Sequence, residues 1–205
     1  MSQSWGKLSS AIIAAVNPSR PLCPRCQRPL PACVCDCAPA VANDVDVLIL
    51  QHPLETGAAK GSARLLQLSL ARCTTLVGEQ FDPALLEQHL YADGRQPLLL
   101  YPGAPDARAQ HAPAALRLVL LDATWRKSRK LLHLNPPLAA LPRMALASVP
   151  PSRYAIRKAH APHQLSTLEA ACLALADLEA APARYLPLLD GFERFVARVL
   201  ARMRP

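Results

Sequence analysis

No apolar run in this chain of 205 residues is long enough to cross a bilayer. Residues 10–16 are far too short, and the later leucine runs are broken by charges or prolines, so helical membrane spans are not expected. Internal repeats are missing as well. Charged residues make up 19% of the chain and hydrophobic ones 51%, a balance that excludes a disordered tail or a coiled coil. The beginning, Lys7 followed by AIIAAV, has the outline of a signal peptide without a convincing hydrophobic region. It turns polar at Asn17 and Pro18, and a cytosolic location is expected. What is left is one domain of ordinary size, or one with a small appendage.

Acids are the residues whose scarcity is most uneven. Residues 116–160 hold nine basic side chains (Arg117, Arg126, Lys127, Arg129, Lys130, Arg143, Arg153, Arg157 and Lys158) and one acid, Asp122. That stretch carries the whole formal charge of +8, because the 14 basic and 14 acidic residues elsewhere cancel. A solvated helix face is the bland explanation. A cluster of one sign favours a polyanionic partner such as nucleic acid.

Five of the seven cysteines fall within fifteen residues, in LCPRCQRPLPACVCDC. Cys23, Cys26, Cys33 and Cys35 have the spacing C-x2-C-x6-C-x-C, with Cys37 as a spare. Two thiolate pairs on tight turns can put four sulfurs at the corners of a tetrahedron, the geometry that structural Zn²⁺ prefers. Pro24, Pro29 and Pro31 restrict the turns and lower the entropy cost of assembling the site. A disulfide cluster is the alternative, but cytosolic thiols stay reduced. Cys73 and Cys172 lie in apolar surroundings and read as core residues.

Beyond the cysteines, strand and helix patterns alternate. VDVLILQ (45–51) is an apolar run of strand length, followed by helix-like ARLLQLSLARC (63–73). TTLVGE (74–79), QPLLLYPG (96–103) and LRLVLLDAT (116–124) are further strands, with a short helix near 83–90 and another strand at 144–149. The final forty residues read as two helices. Strands buried on both faces and separated by helices predict an α/β fold with a mostly parallel sheet. The organisation expected is an N-terminal Cys-rich segment, residues 1–40, and an α/β domain, residues 41–205.

Ligands of such sheets bind beyond the carboxyl ends of the strands. Three strand ends carry chemistry: Gln51-His52-Pro53-Leu54-Glu55, Leu100-Tyr101-Pro102-Gly103, and Asp122-Ala123-Thr124-Trp125 before a basic helix. Asp122 or Thr124 can cap that helix; an acid amid so much positive charge is also a candidate base. Further on, Ser166 and Glu169 form a capping-box pattern ahead of an apolar helix, whose amino end presents N–H groups to an anion.

Together these blocks resemble the DTW-domain family of tRNA-uridine aminocarboxypropyltransferases. The resemblance rests on CPRCQRPLPACVC, on HPLE at 52–55, on LLYPG, on DATWRKSRKLL at 122–132 and on RYAIRKAHAPHQLSTLEA at 153–170, and it covers nearly everything from Cys23 to Leu178. D-x-T-W alone would specify little; five ordered blocks specify a family. One departure is Lys60-Gly61-Ser62, where the family usually has an Asn-Thr-Gly turn.

The resemblance implies a fold related to the SPOUT methyltransferases, often knotted, with S-adenosylmethionine in a cleft of carboxy-terminal loops. The family reaction transfers the 3-amino-3-carboxypropyl group of S-adenosylmethionine to N3 of a tRNA uridine, in bacterial members the variable-loop uridine conventionally numbered 47, and leaves methylthioadenosine. By this resemblance Asp122 is the candidate general base. Leu100, Tyr101, Pro102, Gly103, Thr124, Trp125, Arg157, Leu165, Ser166, Thr167 and Glu169 are the expected S-adenosylmethionine contacts. The migrating carboxylate falls to Arg157 or to the helix end at Ser166 and Thr167. Trp125 is expected to pack beneath the pocket, the alternative being a stack on a base. Arg126, Lys127, Arg129, Lys130, Arg153 and Lys158 would contact tRNA phosphates. Zn²⁺ would be structural, no membrane partner is expected, and a monomer is favoured. Two other readings compete: a SPOUT-like RNA methyltransferase and a non-catalytic zinc-dependent RNA-binding protein.

Overall fold

A computed structural model describes residues 21–58, 61–102, 111–146, 152 and 165–203. The chain divides into two compact units, Met1–Cys33 and Val34–Pro205. In the first, residues 21–33 make a tight knuckle. Leu22 bridges Pro29, the Cys23 N–H donates to the Arg28 carbonyl at 2.7 Å and the Gln27 N–H to the Cys23 carbonyl at 2.8 Å. Gln27 takes the left-handed conformation, φ 57°, that closes the turn after Cys26. A 3₁₀ turn, Leu30–Ala32, follows with Pro31 in its first turn.

The second unit is built on a five-stranded sheet: β1 (Asp46–Gln51), β2 (Cys73–Val77), β3 (Gln96–Leu100), β4 (Leu116–Asp122) and β5 (Arg143–Met144), in the order β2-β1-β4-β3-β5. Every pairing is parallel, so the α/β fold expected for a SPOUT-related domain is the one observed. The central strands β1 and β4 are buried on both faces, which is why they read as unbroken apolar runs. The helices are α1 (Ala63–Ser69), α2 (Pro83–Leu90), α3 (Trp125–Leu134), α4 (Pro136–Ala139), α5 (Thr167–Leu178) and α6 (Leu186–Met203).

Differences from the sequence reading have physical causes. The first helix ends at Ser69 and not near Cys73, because the backbone of Leu70 bridges Val41 and Cys73 pairs with Val47 in the ladder. Sheet pairing there outweighs helix propensity. The last strand starts at Arg143 and spans two residues; residues 147–149 of the expected strand lie outside the described residues. Alternate residues of β1 and β4, with Leu86, Leu90, Leu99, Leu132, Leu138 and Leu141, form a leucine-rich core between the sheet and α2, α3 and α4.

Polar groups fix the other end of the sheet. Arg117, at the start of β4, is buried; its Nε donates to Asp46 Oδ1 at 2.7 Å and its Nη1 donates to the His89 carbonyl. It therefore ties β1, β4 and the end of α2 together, and the basic stretch loses one member to the core. Glu179, at the end of α5, accepts from the N–H groups of Asp44 and Val45 at 2.8 and 2.9 Å and so pins the entry to β1.

The turn Cys35–Cys37 lies directly against α6. Arg198 donates to both carboxylate oxygens of Asp36 and holds that carboxyl down at about 2. Gly191 is the point of closest approach: a Cβ there would collide with the Cys37 carbonyl oxygen and lie 3.1 Å from Pro39 Cδ. Because the obstacle is backbone, it cannot rotate away. Gly191→Ala should therefore destabilise the fold by about 1–3 kcal/mol, the usual cost of overpacking, read as a lowered midpoint in chemical denaturation.

Candidate active site and metal centre

The carboxyl ends of β1, β3, β4 and β5 meet in one place. Gln51 and Asp122 are ladder partners at the ends of β1 and β4, and the ladder continues as the His52 N–H donates to the Asp122 carbonyl at 3.1 Å. Asp122 is 8% exposed. Its Oδ2 accepts from Gln51 Nε2 and its Oδ1 from Thr167 Oγ1, each at 2.8 Å. Thr124 is the N-cap residue of α3 and makes no side-chain cap bond. The carboxylate that could have served as a cap is thus bonded to β1 and to the first residue of α5.

Beside it lies a cavity of about 300 Å³. Leu100, Tyr101, Pro102, Trp125, Leu165, Ser166 and Thr167 line it, so seven of the expected co-substrate contacts share one wall system. Thr124 and Glu169 are not among the lining residues. Glu169 is buried in the capping box, accepting from the Ser166 N–H at 2.8 Å and from Ser152 Oγ at 2.9 Å. Gly103, Arg153, Arg157 and Lys158 lie outside the described residues. Ser128, Met144, Ala145, Leu146 and Ala170 also line the cavity and were not singled out from sequence. The strand-end rule, applied to β5 as it was to β1, β3 and β4, would have found Met144 and its neighbours.

Trp125 does not pack beneath the pocket. It is 48% exposed and meets Tyr101 edge to face, with ring centroids 5.8 Å apart. The Arg143 guanidinium stands 5.4 Å from the centre of the Tyr101 ring. As the first residue of α3, Trp125 precedes the buried side of the helix, Ser128, Leu131 and Leu132, and is directed to the cavity mouth. The result is an aromatic pair flanked by a cation, a surface on which a planar ring can pack.

Two ion pairs and a histidine hold the surrounding loops. Lys127 Nζ reaches Glu55 Oε1 at 2.7 Å, and Lys130 Nζ reaches Glu79 Oε2 at 2.8 Å. His52 Nδ1 accepts from the Leu54 N–H at 3.1 Å, so Nε2 carries the proton and donates to Glu79 Oε1 at 2.9 Å. Lys130, and next His52, hold the Glu79 carboxyl below its usual value. Asn135, buried, fixes the same loop by donating to the Glu79 carbonyl and accepting from the Phe81 N–H, both at 2.9 Å. The geometry thus gives His52 and Glu55 loop-holding contacts. Arg126 and Arg129 are exposed on α3 and pair with no acid among the described residues.

The sulfurs of Cys23, Cys26, Cys33 and Cys35 lie within 4.8 Å of one another. Cys26 and Cys33 sulfurs are 3.8 Å apart. Hydrogen bonds from the Cys26 and then the Arg25 backbone N–H groups pull the Cys23 thiol down to about 6. A low thiol pKa reduces the proton release that metal binding demands, and four soft donors at this spacing can chelate a metal ion. Cys37 is outside this set; it is buried, and burial raises its pKa. Burial also drives Cys73 and Cys172 up to about 12, which leaves them inert at neutral pH. Cys172 is a core residue as expected, while Cys73 is half-buried.

The DTW-domain profile matches residues 20–200. The chain is 35% identical over 171 residues to the tRNA-uridine aminocarboxypropyltransferase 2 of Drosophila melanogaster, an alignment covering 78% of this chain and 67% of that protein. The Mus musculus protein of the same name is 30% identical over 170 residues, covering 78% and 57%. The tRNA-uridine aminocarboxypropyltransferase A of Arabidopsis thaliana is 27% identical over 136 residues, covering 55% and 50%. The chain therefore spans between half and two thirds of the length of these curated relatives. No solved structure matches.

Cobalt(II) titration of the reduced protein tests the four-thiol cluster. Tetrahedral ligand-field and thiolate charge-transfer bands should saturate at one equivalent, and Cys26→Ser should weaken binding and shift the bands.

Proposed function

The chain belongs to the DTW-domain family, and we propose that it is a tRNA-uridine aminocarboxypropyltransferase. It moves the 3-amino-3-carboxypropyl group of S-adenosylmethionine to N3 of a tRNA uridine, in this reading the variable-loop uridine conventionally numbered 47, and releases methylthioadenosine. The observation that carries the reading is the agreement with relatives of that name along 78% of this chain. The geometry supports it: the LLYP segment and the start of α5 line one cavity, and the acid of the D-x-T-W block is hydrogen-bonded to the lining residue Thr167.

The sulfonium activates three carbons, so the product depends on which carbon the cavity aims at the nucleophile. The apolar walls, Leu100, Leu120, Leu121 and Leu146, suit the thioether and the nucleoside. In this reading Tyr101 and Trp125, which meet edge to face, receive the ring. Uridine N3–H is a weak acid whose proton must leave as the N–C bond forms, and Asp122 is the base. Carboxylate recognition falls to Arg157 or to the α5 amino end, where the Glu169 carboxylate already engages the Ser166 N–H and disfavours a second anion.

Arg126 and Arg129 are the first phosphate contacts in this reading, with Arg153 and Lys158 as further contacts. Lys127 and Lys130 reach RNA with their charges partly matched by Glu55 and Glu79. Zn²⁺ is the metal proposed for Cys23, Cys26, Cys33 and Cys35. When bound it supplies a structural crosslink, and no step of transfer passes through it. Residues 41–205 hold the catalytic machinery and residues 1–40 the metal knob. The location proposed is the cytosol and the state a monomer. Among the described residues no helix is long and apolar enough to cross a membrane.

Mass spectrometry of tRNA after incubation with the protein and S-adenosylmethionine should show the mass gain of the aminocarboxypropyl group. A methyl gain alone would replace this reading with methyl transfer, and no gain with no S-adenosylmethionine binding would leave an RNA-binding protein. Asp122→Asn should lower transfer by about 100-fold or more with tRNA affinity nearly unchanged. Charge reversal of Arg126 and Arg129 should weaken tRNA binding and reduce the slope of log affinity against log salt by about 2; an unchanged slope places the RNA elsewhere.

A further inference from the structure

Asp122 is the proposed base, yet it is not one of the residues that line the cavity, although Leu121 and Ala123 on either side of it are. Between Asp122 and the cavity stands Thr167. Thr167 lines the cavity, and its Oγ1 donates to Asp122 Oδ1 at 2.8 Å. A hydroxyl has one proton. With that proton directed to the carboxylate, the oxygen turns only lone pairs toward a ligand, and a lone pair seeks an N–H. On the other side, Gln51 Nε2 holds Asp122 Oδ2 at 2.8 Å, fixed by its place opposite Asp122 in the β1–β4 ladder.

We propose that Thr167 is a catalytic residue that takes the N3 proton of uridine and passes its own hydroxyl proton to Asp122, and that Gln51 is a positioning residue for the same carboxylate. The inference rests on the aminocarboxypropyltransferase reading. In the step, the N3–H proton moves to Thr167 Oγ1 while the Thr167 proton moves to Asp122 Oδ1. The N3 electron pair forms the bond to the propyl carbon attached to sulfur. The carbon–sulfur bond breaks, and its pair remains on sulfur as the thioether of methylthioadenosine. Charge balances: the sulfonium becomes neutral as the carboxylate becomes a carboxylic acid, which later returns its proton to water.

This arrangement solves a geometric problem of the site. A carboxylate open to the cavity would sit beside the positively charged sulfonium, where it could pair with the co-substrate and block the uridine. A relay through Thr167 keeps the charge one hydroxyl away while leaving the proton path short. Gln51 adds a neutral donor on the far oxygen and so holds the carboxylate in one orientation.

The experiment combines three variants of the full-length protein. Thr167→Val keeps the side-chain shape and the backbone N–H and removes only the hydroxyl; kcat should fall about 100-fold or more, a loss well beyond any change in S-adenosylmethionine affinity by calorimetry. Thr167→Ser should restore kcat to within about tenfold of wild type. Gln51→Glu puts a second carboxylate against Asp122, and the acidic limb of the kcat–pH profile should move upward by about one unit or more. Retention of kcat by Thr167→Val overturns the relay, and so does a loss of S-adenosylmethionine affinity as large as the loss of kcat, which would leave the hydroxyl a role in co-substrate binding alone. An acidic limb unmoved in Gln51→Glu overturns the role of Gln51. Failure of the wild-type protein to transfer the group overturns the functional reading instead.

Discussion

The register between β1 and β4 is the constraint on which the site depends. It sets Gln51 opposite Asp122, aligns the His52 N–H with the Asp122 carbonyl, and brings the HPLE turn and the D-x-T-W turn out of the sheet side by side. A slip of one residue would turn each of these side chains to the other face of the sheet. The register is secured at its other end by the buried Arg117–Asp46 pair, and along its length by leucines packed on both faces. Stability at the start of the two strands thus decides chemistry at their ends.

Positive charge, so concentrated in sequence, is divided in space among three tasks. Arg117 is part of the core; Lys127 and Lys130 hold the loops that carry Glu55 and Glu79; Arg143 stands over Tyr101. Arg126 and Arg129 remain exposed on the outer side of α3. The local excess of +8 over residues 116–160 is therefore a smaller surface charge than the sequence implies. A phosphate backbone approaching α3 meets two arginines beside two lysines already partnered by carboxylates, and that partnering aims the lysines as well as weakening them.

Much of the fold was legible. Five apolar runs of strand length, separated by helical patterns, predicted a parallel α/β sheet, and the Ser166–Glu169 box marked the start of α5 to the residue. The four-thiol set was legible because its spacing is local, so turn geometry alone brings the sulfurs near one another. Less legible were the end of α1, where pairing of Leu70 and Cys73 overrides helix propensity, and the place of Trp125, which an apolar aromatic at a helix start does not reveal. Gln51 stood in a strand-end segment already suspected. Nothing local distinguished it from its neighbours, because its importance comes from a strand 71 residues away.

By itself, the sequence determined the strands, the cysteine cluster, the capping box and the family, since each rests on periodicity or on residues close together in the chain. Tertiary structure alone decided which residues meet. It placed Thr167 between Asp122 and the cavity, paired Lys127 with Glu55 and Lys130 with Glu79, opened Trp125 to the mouth and seated Cys37 on Gly191. Contacts of that kind depend on strand order and register, which arise from packing the whole sheet against its helices, and no window of the chain contains them.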